Sequence, residues 1–342
     1  PLDPARSPGG AAGGAAAAVA AGVVRLALAA DTGGGVRHPA AWCGVVGLRP
    51  TYGRVSRHGL IALASSMDAV GILARTVDEA ALALSLIAGR DPFDPTSADL
   101  EVPPYAVADA TAVDGRPLDG LVIGRPREYR EGLAPALRAR IDRVAHLLAA
   151  LGAEVRDVSL AHTRLAPGCH ALVAHAEAAS ALARHDGAFG DSHPPDGDDY
   201  DAGVSRARAA GLGPAARRAV LLGTLLLEPE RRDSYLHQAQ AVRALVSDDL
   251  AAAFDDVDLL LTATAPSAPV PLGGRRAPSD LLQDDAYTAA ASLAGLPALS
   301  LPIGRADGLP VGAQFVAPHF GEPVLLRAAR AVERALGAEA HA

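Results

Sequence analysis

PGGAAGGAAAAVAAGVVRLALAADTGGGVRHPAAWCGVVGLRP, residues 8–50, decides how this chain folds. Two glycine-rich turns, Pro8 to Gly14 and Asp31 to Gly35, bracket a run of small residues and then a run of apolar ones. The spacing predicts a short helix over 15–21 that stops at Gly22, followed by a buried strand over 23–29 that the second turn breaks. Pro39 suits the first turn of another short helix, where its missing N–H costs nothing. A helix–strand pair between the turns lets both glycine clusters meet at one end of a sheet. Residues without Cβ leave backbone N–H groups open toward an anionic oxygen, either a phosphate or an oxyanion. The dinucleotide fingerprint is excluded, because the G-x-G-x-x-G order is absent and Pro8, not a strand, leads into the first cluster.

Working outward, Leu121 to Gly124 reads as a strand, and Leu137, Ile141, Val144 and Leu148 share one helical face closed by Gly152. A strand over 155–160 completes a β-α-β unit. Val257 and Leu259 to Leu261, within 256–265, give the strongest central-strand signal. Residues 303–316 form a hairpin around Asp307-Gly308, and an amphipathic helix follows over 323–336. Alternating strands and helices predict an α/β fold. Residues 89–120 are a polar, proline-rich excursion, no repeat is visible, and 1–342 reads as one domain with insertions.

The 342 residues are 50% apolar and 20% charged, with a formal net charge of −8. That length supplies ample core. Neither lysine nor asparagine occurs, the mark of a GC-rich genome, which removes a P-loop lysine, a Schiff base and a lysine general base. The acidic balance argues against direct nucleic-acid binding. Cys43 and Cys169 make no disulfide framework and fit a reduced, cytoplasmic setting. Ala11 to Ala30 is weakly hydrophobic and carries Arg25, which would cost about 2.5–3.5 kcal/mol in a bilayer, so a core segment and not a membrane helix is expected. The histidines form no H-E-x-x-H and no Cys/His cluster, so no metal site is expected.

The stretches PGGAAGGAAAAVAAG (8–22), DTGGGVRHPAAWCGVVGLRPTYGRVSRHGL (31–60) and SSMDAVGILARTVDEAALALSLIAGRDPFDPTS (65–97) closely resemble the amidase signature family, within it the A-subunit branch of the amidotransferases. LGAEVRDVSLAHTRLAP (151–167), AEAASALARHDG (176–187), RRAVLLGT (217–224), DAYTAAASLAGLPALSLPIG (285–304) and DGLPVGAQFVAPHFGEPVLLRAA (307–329) agree in order. The resemblance implies a mixed central β-sheet covered by helices on both faces. It also implies an N-terminally truncated copy, since the family's lysine-bearing first stretch is not among these residues.

The family's machinery is a serine nucleophile after the paired glycines of D-T-G-G-S, a relay serine on a cis peptide, and that lysine. Gly35 stands at the nucleophile's position and Ala11 at the relay's, with Ala12 following. The resemblance therefore implies a catalytically impaired pseudoenzyme, keeping Thr32, Gly33 and Gly34 as an oxyanion loop. Thr32, Ser65 and Ser66 are the nearest substitute hydroxyls, each read as structural; Arg37 is expected to brace the loop. By the same resemblance, Arg218 would hold the α-carboxylate and Asp285 the α-ammonium of a small amide or amino-acid ligand. Cys169 and His170 stand where the branch carries a tyrosine. Partner subunits of an amidotransferase-like complex are implied, and no cofactor.

Overall fold

The computed structural model describes residues 2–105, 116–185, 199–273 and 284–337. Its centre is an eight-stranded mixed sheet of β1 (Leu26–Asp31), β2 (Val46–Arg49), β3 (Ala69–Ala74), β4 (Val122–Pro126), β5 (Glu154–Val158), β6 (Leu259–Ala263), β7 (Ala298–Ala306) and β8 (Leu309–Val316), ordered β1-β3-β2-β7-β8-β6-β4-β5. The flanking helices include α1 (Gly13–Ala20), α2 (Arg37–Cys43), α3 (Val77–Ile87), α4 (Pro135–Ala150), α5 (Ala166–Leu182), α6 (Tyr200–Gly211), α7 (Pro214–Leu227), the single turn α8 (Pro229–Arg231), α9 (His237–Phe254), α10 (Ala289–Leu293) and α11 (Glu322–Leu336).

The β4-α4-β5 crossover forms as the pattern requires: β4 and β5 are parallel, and Leu137, Ile141, Val144 and Leu148 are all buried. Every residue of β6 is buried between β8 and β4. The β7–β8 hairpin turns at Asp307 (φ 51°) and Gly308 (φ 78°), the two positive dihedrals that match a tight turn to strand twist. β7 starts at Ala298, earlier than the hairpin pattern indicates, and runs through Pro302. Proline is tolerated there because β2 reaches β7 only along Ala298 to Ser300, and the β7–β8 register shifts between Pro302 and Arg305.

The expected buried strand over 23–29 is corrected. Val23 and Val24 lie in the turn that follows α1, their N–H groups donating to Ala18 O, and Val23 is 75% exposed. The strand begins at Leu26 and is the edge of the sheet, paired only with β3 and leaving Leu28 50% exposed. An apolar run fixes a strand without fixing how many of its faces are covered. Beneath it, Ala16 and Val19 of α1 pack on Val36, Ala40 and Cys43 around α2 and on Leu73 of β3.

These two environments separate in a stability measurement. Leu260→Ala, in the middle of the sheet, is expected to lose about 2–5 kcal/mol, the range for emptying a buried leucine site. Leu28→Ala on the open edge should stay within about 1 kcal/mol of wild type in the same urea titration.

Candidate functional site

The two glycine turns meet at the end of β1. The Ala12 N–H donates to the Gly35 carbonyl at 3.0 Å, and the Gly10–Ala11 peptide is cis. A Cβ placed on Gly35 would stand 3.7 Å from the Ala11 methyl and 2.8 Å from the Ala30 carbonyl oxygen. Positions 11 and 35 are thus side by side, presenting a methyl group and a hydrogen.

Asp31 forms the floor of the site and is completely buried. Its carboxylate accepts from the N–H groups of Gly34 (3.0 Å) and Val36 (3.2 Å), from Arg37 Nε (3.0 Å) and Nη2 (2.9 Å), and from Arg49 Nη1 (3.2 Å). Burial alone would raise its pKa, yet Arg37, Arg49 and the Val36 N–H outweigh that and hold it well below the usual carboxylate range. Arg37 continues outward to Ser292 Oγ (2.7 Å), Gln314 Oε1 (2.8 Å) and the Thr288 carbonyl (3.1 Å), so it does brace the loop. Two buried guanidinium groups face Asp31, and the buried Asp68 carboxylate also acts on Arg49, so the charges under the glycines balance.

The loop's own groups are unequally free. The Gly34 N–H is committed to Asp31, whereas those of Gly33 and Gly35 have no partner among the described residues. Thr32 Oγ1 donates to Asp68 Oδ1 at 2.6 Å. Ser66 Oγ donates to Glu177 Oε1 (2.5 Å) and accepts from Arg243 Nη1 (2.8 Å), a tie between chain segments.

His170, in the first turns of α5, lies directly on the loop. A Cβ on Gly33 would collide with its Cε1 and Nε2, and one on Gly34 (φ 131°) with the Thr288 hydroxyl, which instead donates to the Gly33 carbonyl at 2.5 Å. Glycine is required at both positions. The His170 Nε2 is buried with no hydrogen-bond partner among the described residues, and Nδ1 stands 3.9 Å from Asp285 Oδ2. Burial draws His170 down to about 4. Burial, then Asp284 and Asp31, push Asp285 up to about 7, although 37% of its side-chain surface stays open.

Asp285 therefore sits at the site, through His170. Arg218 is exposed on α7, and no described contact joins it to the loop or to Asp285. His38 is buried edge-on to Trp42, with ring centroids 4.2 Å apart. Among the described residues, no group of three or more His, Cys, Asp or Glu is arranged to hold a metal. His170 is the residue that sequence reasoning passes over: its only signal is standing in place of an expected tyrosine.

The family described as Amidase matches residues 1–326. The glutamyl-tRNA(Gln) amidotransferase A-subunit of Fusobacterium nucleatum is 44% identical over 338 residues, covering 98% of this chain and 68% of the relative. Its counterpart from Koribacter versatilis is 45% identical over 341 residues, covering 99% and 70%. The crystal structure of the glutamyl-tRNA(Gln) amidotransferase A-subunit from Thermotoga maritima superposes with a TM-score of 0.78 at 35% identity, covering 97% of this chain and 67% of that one.

The contact of His170 with Gly33 predicts a coupled mutant cycle. Gly33→Ala should cost about 1–3 kcal/mol by overpacking in the wild-type background and clearly less beside His170→Ala, read as urea midpoints. Titration gives a second expectation. Between pH 4 and 6.5 the unfolded chain holds a proton at His170 that the folded protein lacks, so His170 makes stability rise with pH there. Between pH 3.8 and about 7 folded Asp285 keeps a proton that the unfolded chain has lost, so it makes stability fall with pH. The two oppose each other in their shared window. Asp285→Asn should expose the rise and His170→Asn the fall when midpoints are compared across it.

Proposed function

The chain belongs to the amidase family, and on that premise we propose that it is an amidase-type subunit that binds a small amide or amino acid without performing acyl transfer. The observation that carries this reading is the meeting of Ala11 and Gly35 inside an otherwise assembled pair of glycine turns. Acyl transfer through a covalent intermediate needs a nucleophile and a proton acceptor within hydrogen-bond reach. A methyl and a hydrogen supply neither. As a scale, deleting the nucleophile of a serine-protease triad costs roughly 10⁶-fold in turnover. Thr32, the nearest hydroxyl in sequence, donates to Asp68, whose other oxygen accepts from the Leu63 and Ala64 N–H groups, so the pair is read as structural; a base supplied from elsewhere would still have nothing to activate at position 35.

What persists is a binding surface: N–H groups at Gly33 and Gly35, and Asp285 beside them to meet an ammonium group. Arg218 belongs to this reading as the carboxylate anchor, its exposed guanidinium being free to reach a ligand. The relatives' names describe one component of an amidotransferase, and this chain is read as working with partner subunits, with residues 1–342 acting as one domain. A net charge of −8 leaves nucleic-acid contact to those partners. The free thiols of Cys43 and Cys169 suit a cytoplasmic setting, and among the described residues no helix is long and apolar enough to cross a membrane. No cofactor enters this reading.

The test is ammonia release from glutamine and asparagine, together with intact mass after exposure to an activated ester. Neither ammonia above the buffer rate nor an acyl adduct is expected; an adduct on this chain would overturn the reading. Gly35→Ser should not restore turnover and should cost about 1–3 kcal/mol of stability, because the new Cβ meets the Ala30 carbonyl.

A further inference from the structure

We propose that His170 is the ligand-selecting residue of the glycine-loop site, a displaceable cover that makes the site prefer a small carboxylate over the corresponding neutral amide. This deepens the binding reading above and rests on it.

The His170 imidazole is nine-tenths buried against the Thr32 backbone, which favours a proton on the ring, yet its Nε2 has no close hydrogen-bond partner among the described residues and lies 2.5 Å from where a Cβ on Gly33 would stand. A buried polar atom without a partner is costly, so this ring position is one that a better partner can displace. The ring covers the part of the loop where the Gly33 N–H would otherwise meet a ligand.

One acceptor stands ready for the displaced ring: Asp285 Oδ2, 3.9 Å from Nδ1. Closing that gap into a hydrogen bond draws Nε2 off Gly33 and leaves it facing the uncovered loop. A carboxylate seated there then accepts from the loop N–H on one side and from Nε2–H on the other. With Asp285 on Nδ1–H, the ring takes one proton from solvent and becomes an imidazolium between two carboxylates.

The anion preference comes from the ring's own charge, since burial and the neighbouring Asp284 and Asp31 work against the Asp285 carboxylate beside it. The charged and titratable groups around the ring are Asp31 and Arg49 beneath the loop, His175 on its own helix, and Asp285. Arg37 and Arg49 are matched by Asp31 and by Asp68, which acts on Arg49 and accepts from Thr32, so the floor is balanced and the ligand's charge is met by the ring. A neutral amide gains a hydrogen bond here without the ion pair. Charge-assisted hydrogen bonds are roughly twice as strong as neutral ones, and that difference sets the preference.

The experiment is calorimetric titration of the whole chain with L-glutamate and L-glutamine. Wild type should bind glutamate at least about tenfold more tightly, a factor that corresponds to 1.4 kcal/mol. His170→Asn, which retains polarity without a charge, should bring the ratio to within about threefold. An unchanged ratio in that variant, or equal affinities in wild type, overturns the assignment of His170 while leaving the binding reading intact. Binding of neither ligand by wild type or variant overturns the binding reading, and this inference falls with it. Should His170→Asn fail to fold, the wild-type protein answers alone: titration with glutamate must move the ring-nitrogen resonances of His170 toward the imidazolium position, and a static ring signal during saturable binding refutes the proposal.

Discussion

Asp31 is ionised at the centre of the protein, and much of the site is arranged to keep it so. Its one carboxylate joins the end of β1, the glycine turn, the start of α2 through Arg37, and β2 through Arg49. Arg37 extends the connection to Ser292 of α10 and Gln314 of β8. Removing either partner would strand a charge in low dielectric, at a typical cost of about 3–5 kcal/mol. Such a network contributes less to net stability than to geometry: it admits one loop shape, the one that turns Gly33 toward His170 and Gly34 toward Thr288. The positions of Ala11 and Gly35 follow from that shape.

How much of the molecule is readable from its residues depends on whether the deciding contact is local. The helical face of Leu137, Ile141, Val144 and Leu148 and the Asp307-Gly308 turn are set by neighbours in sequence, and both form as expected. The exposure of the first strand is not legible, because coverage depends on which strand lies alongside, and β1 finds only β3. A sheet order that places β7 between β2 and β8 has no local signature at all. The same division runs through the site. The meeting of two glycine turns follows from the short helix–strand pair between them. The seating of His170 on Gly33 joins α5 to the loop across most of a domain's length of chain, and no residue pattern around His170 announces it.

The structure also separates two functions that share one loop. Oxyanion binding is a property of the backbone: N–H groups at a glycine turn are positioned by Asp31 and survive any exchange of side chains at neighbouring positions. Nucleophilic attack is a property of one side chain and disappears with it. A chain carrying Gly35 and Ala11 can therefore lose the second function and keep the first at no cost to its fold.

The local packing agrees with this separation in a more specific way. The Ala30 carbonyl oxygen stands 2.8 Å from where a Cβ at position 35 would be, closer than a serine there would tolerate without a shift of the backbone. His170, in turn, covers the neighbouring glycine with an imidazole whose free nitrogen has nothing to bond among the described residues. A site that must attack a carbonyl has to keep that approach open, whereas one that only holds a ligand can cover it and let the ligand move the cover aside. Closed backbone at Gly35 and a displaceable ring at Gly33 are what the second requirement permits and the first forbids.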